Sequence, residues 1–146
     1  MEPAFLKGVV VKGFGRGSRQ LGVPTANFPE EVVAQLPPMR EGVYFGWAQV
    51  AEDEVRGMVM SLGFNPYYKN THKSVETHVL HKYEQDFYGE QLAICVLGFI
   101  REMTDFKSLE SLVEAIHGDI KTTKECLDSG EYEKYKHELV KYSLAH

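Results

Sequence analysis

Over the first two-thirds of the chain, short runs of apolar residues alternate with polar ones at the period of half-buried β-strands. Runs at residues 8–12, 43–50, 56–62, 74–83 and 91–100 predict five strands. A short extended piece at 26–28, flanked by Pro24 and Pro29, predicts a sixth. The acidic link Ala51-Glu52-Asp53-Glu54 suits a hairpin between the second and third long runs. Asp86-Phe87-Tyr88-Gly89 suits a turn before the last one. Strands that succeed one another without intervening helices predict an antiparallel sheet, closed on itself to remove its edges.

After Ile100 the period lengthens. Leu109, Leu112, Val113, Ile116, Ile120 and Leu127 recur at helical spacing and form one apolar stripe. Ser108 or Asp105 is placed to cap its start and Gly130 to end it. A weaker helical pattern runs from Glu131 to about Tyr142. The stripe needs a surface to bury it, and the sheet is the surface available. The prediction is a mainly β fold: a six-stranded, Greek-key-like antiparallel β-barrel with a long C-terminal α-helix packed on it. With no linker, repeat or low-complexity tract, residues 1–146 read as a single domain.

Composition narrows the function. The chain has 146 residues, enough to bury one core unaided, with 43% hydrophobic and 25% charged residues. No apolar run is long enough to span a bilayer, and the segment after Met1 lacks the layout of a signal peptide. A cytoplasmic, monomeric protein with no membrane partner is expected, and Met1 suggests a natural start. A net charge of −5 argues against nucleic acid, whose phosphates attract basic surfaces. A nucleotide needs only a local cradle of donors and stays allowed. Cys95, inside an apolar run, and Cys126, near the apolar side of the helix, read as packing residues and not as a disulfide framework.

The most unusual stretch is Gly13-Phe14-Gly15-Arg16-Gly17-Ser18-Arg19-Gln20-Leu21-Gly22. Alternate glycines let the backbone approach a ligand with N–H groups free for phosphate oxygens, and Arg16 and Arg19 add charge. It is neither a P-loop, which ends in Gly-Lys-Ser/Thr, nor a dinucleotide fingerprint, which needs glycine where Ser18 stands. A flexible turn between strands is the plainer alternative. In Pro24-Thr25-Ala26-Asn27-Phe28-Pro29, period-two alternation points Thr25 and Asn27 to one face. A hydroxyl and an amide oxygen suit Mg²⁺ that keeps most of its waters, although both side chains can equally bond a local turn.

Farther along, Ser74-Val75-Glu76-Thr77-His78-Val79-Leu80-His81 alternates as a strand, with Glu76, His78 and Leu80 on one face. His78 and His81 face opposite ways, so they cannot share a zinc ion from a regular strand. A carboxylate here is either a surface charge or a base beside a phosphate site. The loop Gly63-Phe64-Asn65-Pro66-Tyr67-Tyr68-Lys69-Asn70-Thr71 carries two tyrosines that either cover a ring system or pack on the barrel.

Taken together, Gly15-Arg16-Gly17-Ser18-Arg19 followed by Leu21-Gly22-Val23-Pro24-Thr25-Ala26-Asn27 resembles the signature of riboflavin kinases (flavokinases). The resemblance covers about residues 7 to 128. It implies that Gly13, Gly15 and Arg19 belong to the loop over the ATP phosphates, and that Thr25 and Asn27 hold magnesium and nucleotide. Ser-x-Glu-Thr-His after an Asn-Pro-Tyr-Tyr-Lys-Asn loop is similar to the family's catalytic segment, which implies Glu76 as general base beside a movable flap. The same likeness maps adenine-nucleotide contacts onto Val79, His81 and Tyr88, and flavin contacts onto Arg101, Thr104 and Phe106. Glu102 departs from the proline common at that position.

The activity implied is transfer of the γ-phosphate of ATP to the 5′-hydroxyl of riboflavin, giving FMN and ADP, with Mg²⁺ or another divalent metal. The chain leaves no room for the adenylyltransferase domain of bifunctional relatives, so FAD synthesis is not expected. The reading from another class is a non-catalytic barrel that holds a flavin or nucleotide.

Overall fold

A computed structural model of the chain describes residues 2–11, 25–64, 73–81, 83 and 87–145. Strands β1 (Ala4–Val9), β2 (Thr25–Asn27), β3 (Gly42–Val50), β4 (Arg56–Phe64), β5 (Lys73–Val79) and β6 (Gln91–Arg101) form one antiparallel sheet in the order β1-β6-β3-β4-β5-β2. Hairpins link β3, β4 and β5, and β6 returns to lie beside β3, which is the Greek-key order. The sheet curls into a half-barrel whose two edges meet at one bridge. There the Val11 N–H donates to the Asn27 carbonyl at 2.9 Å. The barrel anticipated from the strand pattern is therefore joined by a bridge and not by a full ladder among the described residues.

Alternation sorts the side chains. Leu6, Met58, Met60, Leu62, Val75, Val79, Leu92 and Ile94 fill the interior. On the outer face, Phe45, Trp47, Ala93 and Cys95 form a second apolar layer. Helix α3 (Lys134–Leu144) covers that layer with Tyr135, Leu139 and Tyr142. Central strands covered on both faces explain why β3 is buried at every position. Cys95 is packing as expected, and burial pushes its thiol up to about 12.

Two boundaries, those of β1 and β5, differ most from the pattern. β1 starts at Ala4 rather than Gly8, because Gly8 is an interior strand residue. A Cβ there would come within 2.8 Å of Val32 Cγ2, so glycine lets the short helix α1 (Glu30–Val33) pack on the strand. β5 ends at Val79, since the chain bends at Leu80 and His81 donates its N–H back to the Val79 carbonyl. The long helix α2 (Leu109–Asp128) is capped by Ser108, whose hydroxyl accepts from the Ser111 N–H at 3.1 Å, and not by Asp105. Gly130 follows it with a φ of 85°, a left-handed turn that favours glycine.

Candidate active site

Strand register builds the site. Thr25 and Asn27 of β2 stand opposite His78 and Glu76 of β5. On the other side of β5, Ser61 and Val59 of β4 stand opposite Glu76 and His78. Directly opposed residues share a face. The intervening Ala26 and Thr77 are fully buried in the barrel, so Thr25, Asn27, Ser61, Glu76 and His78 lie together on its outer face. The metal-ligand pair and the carboxylate expected from the sequence are thus brought side by side by three strands.

Beside them α2 closes a cavity of about 200 Å³. Its floor includes Val43, Val59, Ser61, Glu76 and His78. Leu112, Ile116 and Ile120 of α2 make its far wall. The apolar stripe of α2 consequently does two jobs. Its C-terminal end docks, with Leu127 buried against Gly57, while its N-terminal end stands away from the sheet and Leu109 is exposed. The gap between them is the cavity.

The segment joining β6 to α2 forms the rim. Arg101, Met103, Thr104 and Phe106 line the cavity, so the three positions mapped to flavin are gathered there. Arg101 is tied down: Nε and Nη2 donate to the two carboxylate oxygens of Asp119 at 2.8 and 2.9 Å. Its guanidinium lies 5.6 Å from the centre of the Phe106 ring. Asp119, buried in mid-helix, was not singled out in the sequence. An acidic residue one turn from the apolar stripe reads there as solvated surface, and only the end of β6 reveals its partner.

Electrostatics distinguish the two titratable groups on β5. Glu76 is half-buried, and desolvation raises its carboxyl above the ordinary carboxylate value. It has no hydrogen-bond or ion-pair partner among the described residues. Burial pushes His78 down to about 4, although the Asp119 carboxylate opposes the shift. The site therefore holds an imidazole that burial keeps neutral at pH 7 and a carboxyl group of raised basicity.

The fit for a hard divalent cation can be judged from the donors. No cluster of three His, Cys, Asp or Glu able to cage a metal occurs among the described residues. Thr25 and Asn27 offer two oxygens on one face next to Glu76, which suits a cation that keeps waters or phosphate oxygens in its shell.

The positions mapped to the nucleotide are less uniform. Val79 is 1% exposed inside the barrel, so a nucleotide contact there would have to run through its backbone. His81 is half-buried, edge-on to Tyr83 at 4.7 Å, and Tyr83 meets Phe87 at 5.0 Å. Tyr88 is exposed next to Gly89, whose N–H donates to the Val10 carbonyl. Gly13, Gly15 and Arg19, like Tyr67 and Tyr68 of the proposed flap, lie outside the described residues.

Residues 1–127 match the family model described as Flavokinase: Riboflavin kinase. The chain belongs to the riboflavin kinase family. It is 54% identical over 135 residues to riboflavin kinase from Homo sapiens, an alignment covering 92% of this chain and 87% of that protein. It is 46% identical over 137 residues to a bifunctional riboflavin kinase/FMN phosphatase from Arabidopsis thaliana, covering 93% of this chain and 36% of that one. The crystal structure of riboflavin kinase from Trypanosoma brucei superposes with a TM-score of 0.79 at 33% identity, over all of this chain and 93% of that one. The riboflavin kinase model ends at Leu127, so α3 lies beyond it and adds the cover over the outer apolar layer.

Proposed function

We propose that this chain transfers the γ-phosphoryl group of ATP to the 5′-hydroxyl of riboflavin, with Glu76 as general base. The observation that carries the reading is the register that puts Glu76 between Asn27 and Ser61 on the cavity side of the barrel. Phosphoryl transfer asks little covalent chemistry of a protein; it asks for positioned reactants and charge stabilisation. The apolar wall of α2 and the Phe106 ring suit an aromatic ring system, while the polar strip on β4, β5 and β2 suits a polyol leading to phosphate. Thr25 and Asn27 would hold Mg²⁺, which supplies charge neutralisation on the phosphate oxygens when bound.

Glu76 fits its role for a physical reason. Desolvation raises its carboxyl above the ordinary carboxylate value, which makes it a better proton acceptor than an exposed glutamate. His78 stands nearest on the same strand face, and its depressed basicity makes it the poorer acceptor. Arg101, Thr104 and Phe106 are assigned to the flavin side, and Gly13, Gly15, Arg19, Val79, His81 and Tyr88 to the nucleotide side. The two free cysteines suit a reducing compartment such as the cytoplasm. No described helix is long and apolar enough to cross a membrane.

The deciding experiment is incubation with riboflavin and Mg-ATP, with FMN and ADP followed by chromatography. FMN formation at the rate ADP appears supports the kinase. Flavin binding without turnover would identify a non-catalytic carrier instead.

A further inference from the structure

We propose that His78 determines specificity for the sugar-alcohol part of the substrate, by donating a hydrogen bond from Nε2 to a hydroxyl oxygen of the ribityl chain. The proposal rests on the flavokinase reading above. His78 lies on the outer face of β5, two residues from Glu76, between Val59 of β4 and Thr25 of β2, and it lines the cavity. Its Nδ1 is sealed from solvent and has no hydrogen-bond partner among the described residues.

That orphan atom fixes the tautomer. A buried N–H without an acceptor is rarer and more costly than a buried acceptor without a donor. The proton therefore belongs on Nε2, the other polar atom of the ring. Asp119 is the charged group that faces the ring from α2. His78 thus offers the cavity an N–H donor at Nε2.

Placement selects the group that receives it. Two residues along a strand span roughly 6.5–7 Å. A polyol whose terminal hydroxyl sits at Glu76, and whose ring system lies toward Ile116 and Ile120, has its remaining hydroxyls within reach of His78. Asp119 already gives both carboxylate oxygens to Arg101.

The test compares flavins with and without the polyol. Riboflavin and lumiflavin, which carries a methyl group in place of the ribityl chain, are titrated into wild type, His78→Phe, His78→Asn and His78→Gln by fluorescence quenching. Gln can present an amide N–H near the position of Nε2; Asn is too short. Phe and Asn should weaken riboflavin binding about 3- to 10-fold, the loss of one hydrogen bond, and leave lumiflavin unchanged. Gln should restore most of the riboflavin affinity. Equal losses for both flavins would mean a collapsed cavity and overturn the proposal, as would riboflavin affinity unchanged in all three variants. FMN formation by wild type separates the two readings. Turnover with no effect at His78 sinks this proposal alone, whereas wild type that neither binds nor phosphorylates riboflavin sinks both.

Discussion

Arg101 at the end of β6 and Asp119 in the middle of α2 are joined by two charge-assisted hydrogen bonds of 2.8 and 2.9 Å. Eighteen residues apart in sequence, they are the fastening that holds the standing half of α2 at a fixed distance from the sheet. Below this point Thr123 and Leu127 pack the helix down; above it Leu112 and Ile116 face the cavity. Charge and packing therefore set the width of the same site from its two ends.

Asp119→Asn keeps the shape of the side chain and removes its charge. The Asp119 side chain is 9% exposed, but Arg101 keeps 29%, so water at the rim softens the loss. Stability should fall by roughly 1–3 kcal/mol, measured by urea denaturation. Because the pair frames the side proposed for the flavin and not the side proposed for the metal, KM for riboflavin should rise well above any change in KM for ATP. Equal increases in both constants would show that the pair merely supports the fold.

Glu76→Gln retains size and hydrogen bonding but accepts no proton near neutrality. Loss of a general base costs about 10²–10⁴-fold in rate, so kcat should collapse while fluorescence quenching still reports riboflavin binding. Retention of more than about a tenth of wild-type kcat would remove Glu76 as the base. The pH profile gives a second check. Because desolvation raises the Glu76 carboxyl, kcat in wild type should decline as pH falls through a value above the ordinary carboxylate range. His78 titrates near 4, so His78→Gln should keep the same acid limb.

Thr25→Ala and Asn27→Ala address the metal. Both residues lie on the outer face of a three-residue strand whose inward residue is Ala26, so neither change empties the core. Each should raise the magnesium concentration needed for half-maximal activity by roughly tenfold or more, the scale of one lost hydrogen bond or ligand contact to a charged group. Thermal melting should be little altered. Unchanged magnesium dependence in both variants would take the pair out of the site.

The legible parts of this protein were those with a short-range signature. Alternation located the five longer strands, the prolines flanking residues 26–28 marked the sixth, and strand periodicity, which is local, put Thr25 and Asn27 on one face. What could not be read was set by pairing between distant segments. Nothing near Ser61 says that it stands opposite Glu76, because that follows from the β4–β5 register. The stripe of α2 predicted burial along its whole length, yet Leu109 is 60% exposed, since the Arg101–Asp119 contact and the β6–α2 segment hold that end off the sheet. The third helix was discernible only faintly. Its hold on the barrel is tertiary: the Lys7 ammonium donates to the Tyr142 carbonyl at 2.8 Å and to that of Ala145, and Trp47 Nε1 donates to the Tyr132 carbonyl at 2.9 Å.

His78 also gives the protein a measurable dependence of stability on pH. Its ordinary value is 6.5 and burial lowers it to about 4 in the folded chain. Above 6.5 neither state is protonated at this residue and it imposes no penalty. As pH falls from 6.5 toward 4, the unfolded chain takes up a proton that the folded chain refuses, so stability drops through that window. The difference between the two values corresponds to a loss of about 3 kcal/mol at full extent. Glu76 works in the opposite direction, because a raised carboxyl favours the folded state at low pH and loses that contribution as pH rises through its folded value. That contribution is common to wild type and His78→Gln and cancels when the two are compared. Urea denaturation at several pH values between 7 and 4 should therefore show the variant gaining on wild type by up to about 3 kcal/mol as the solution is acidified. A difference that stays constant across the window would mean that the imidazole is solvated in the folded protein, and that it does not sit sealed between β2, β4 and α2.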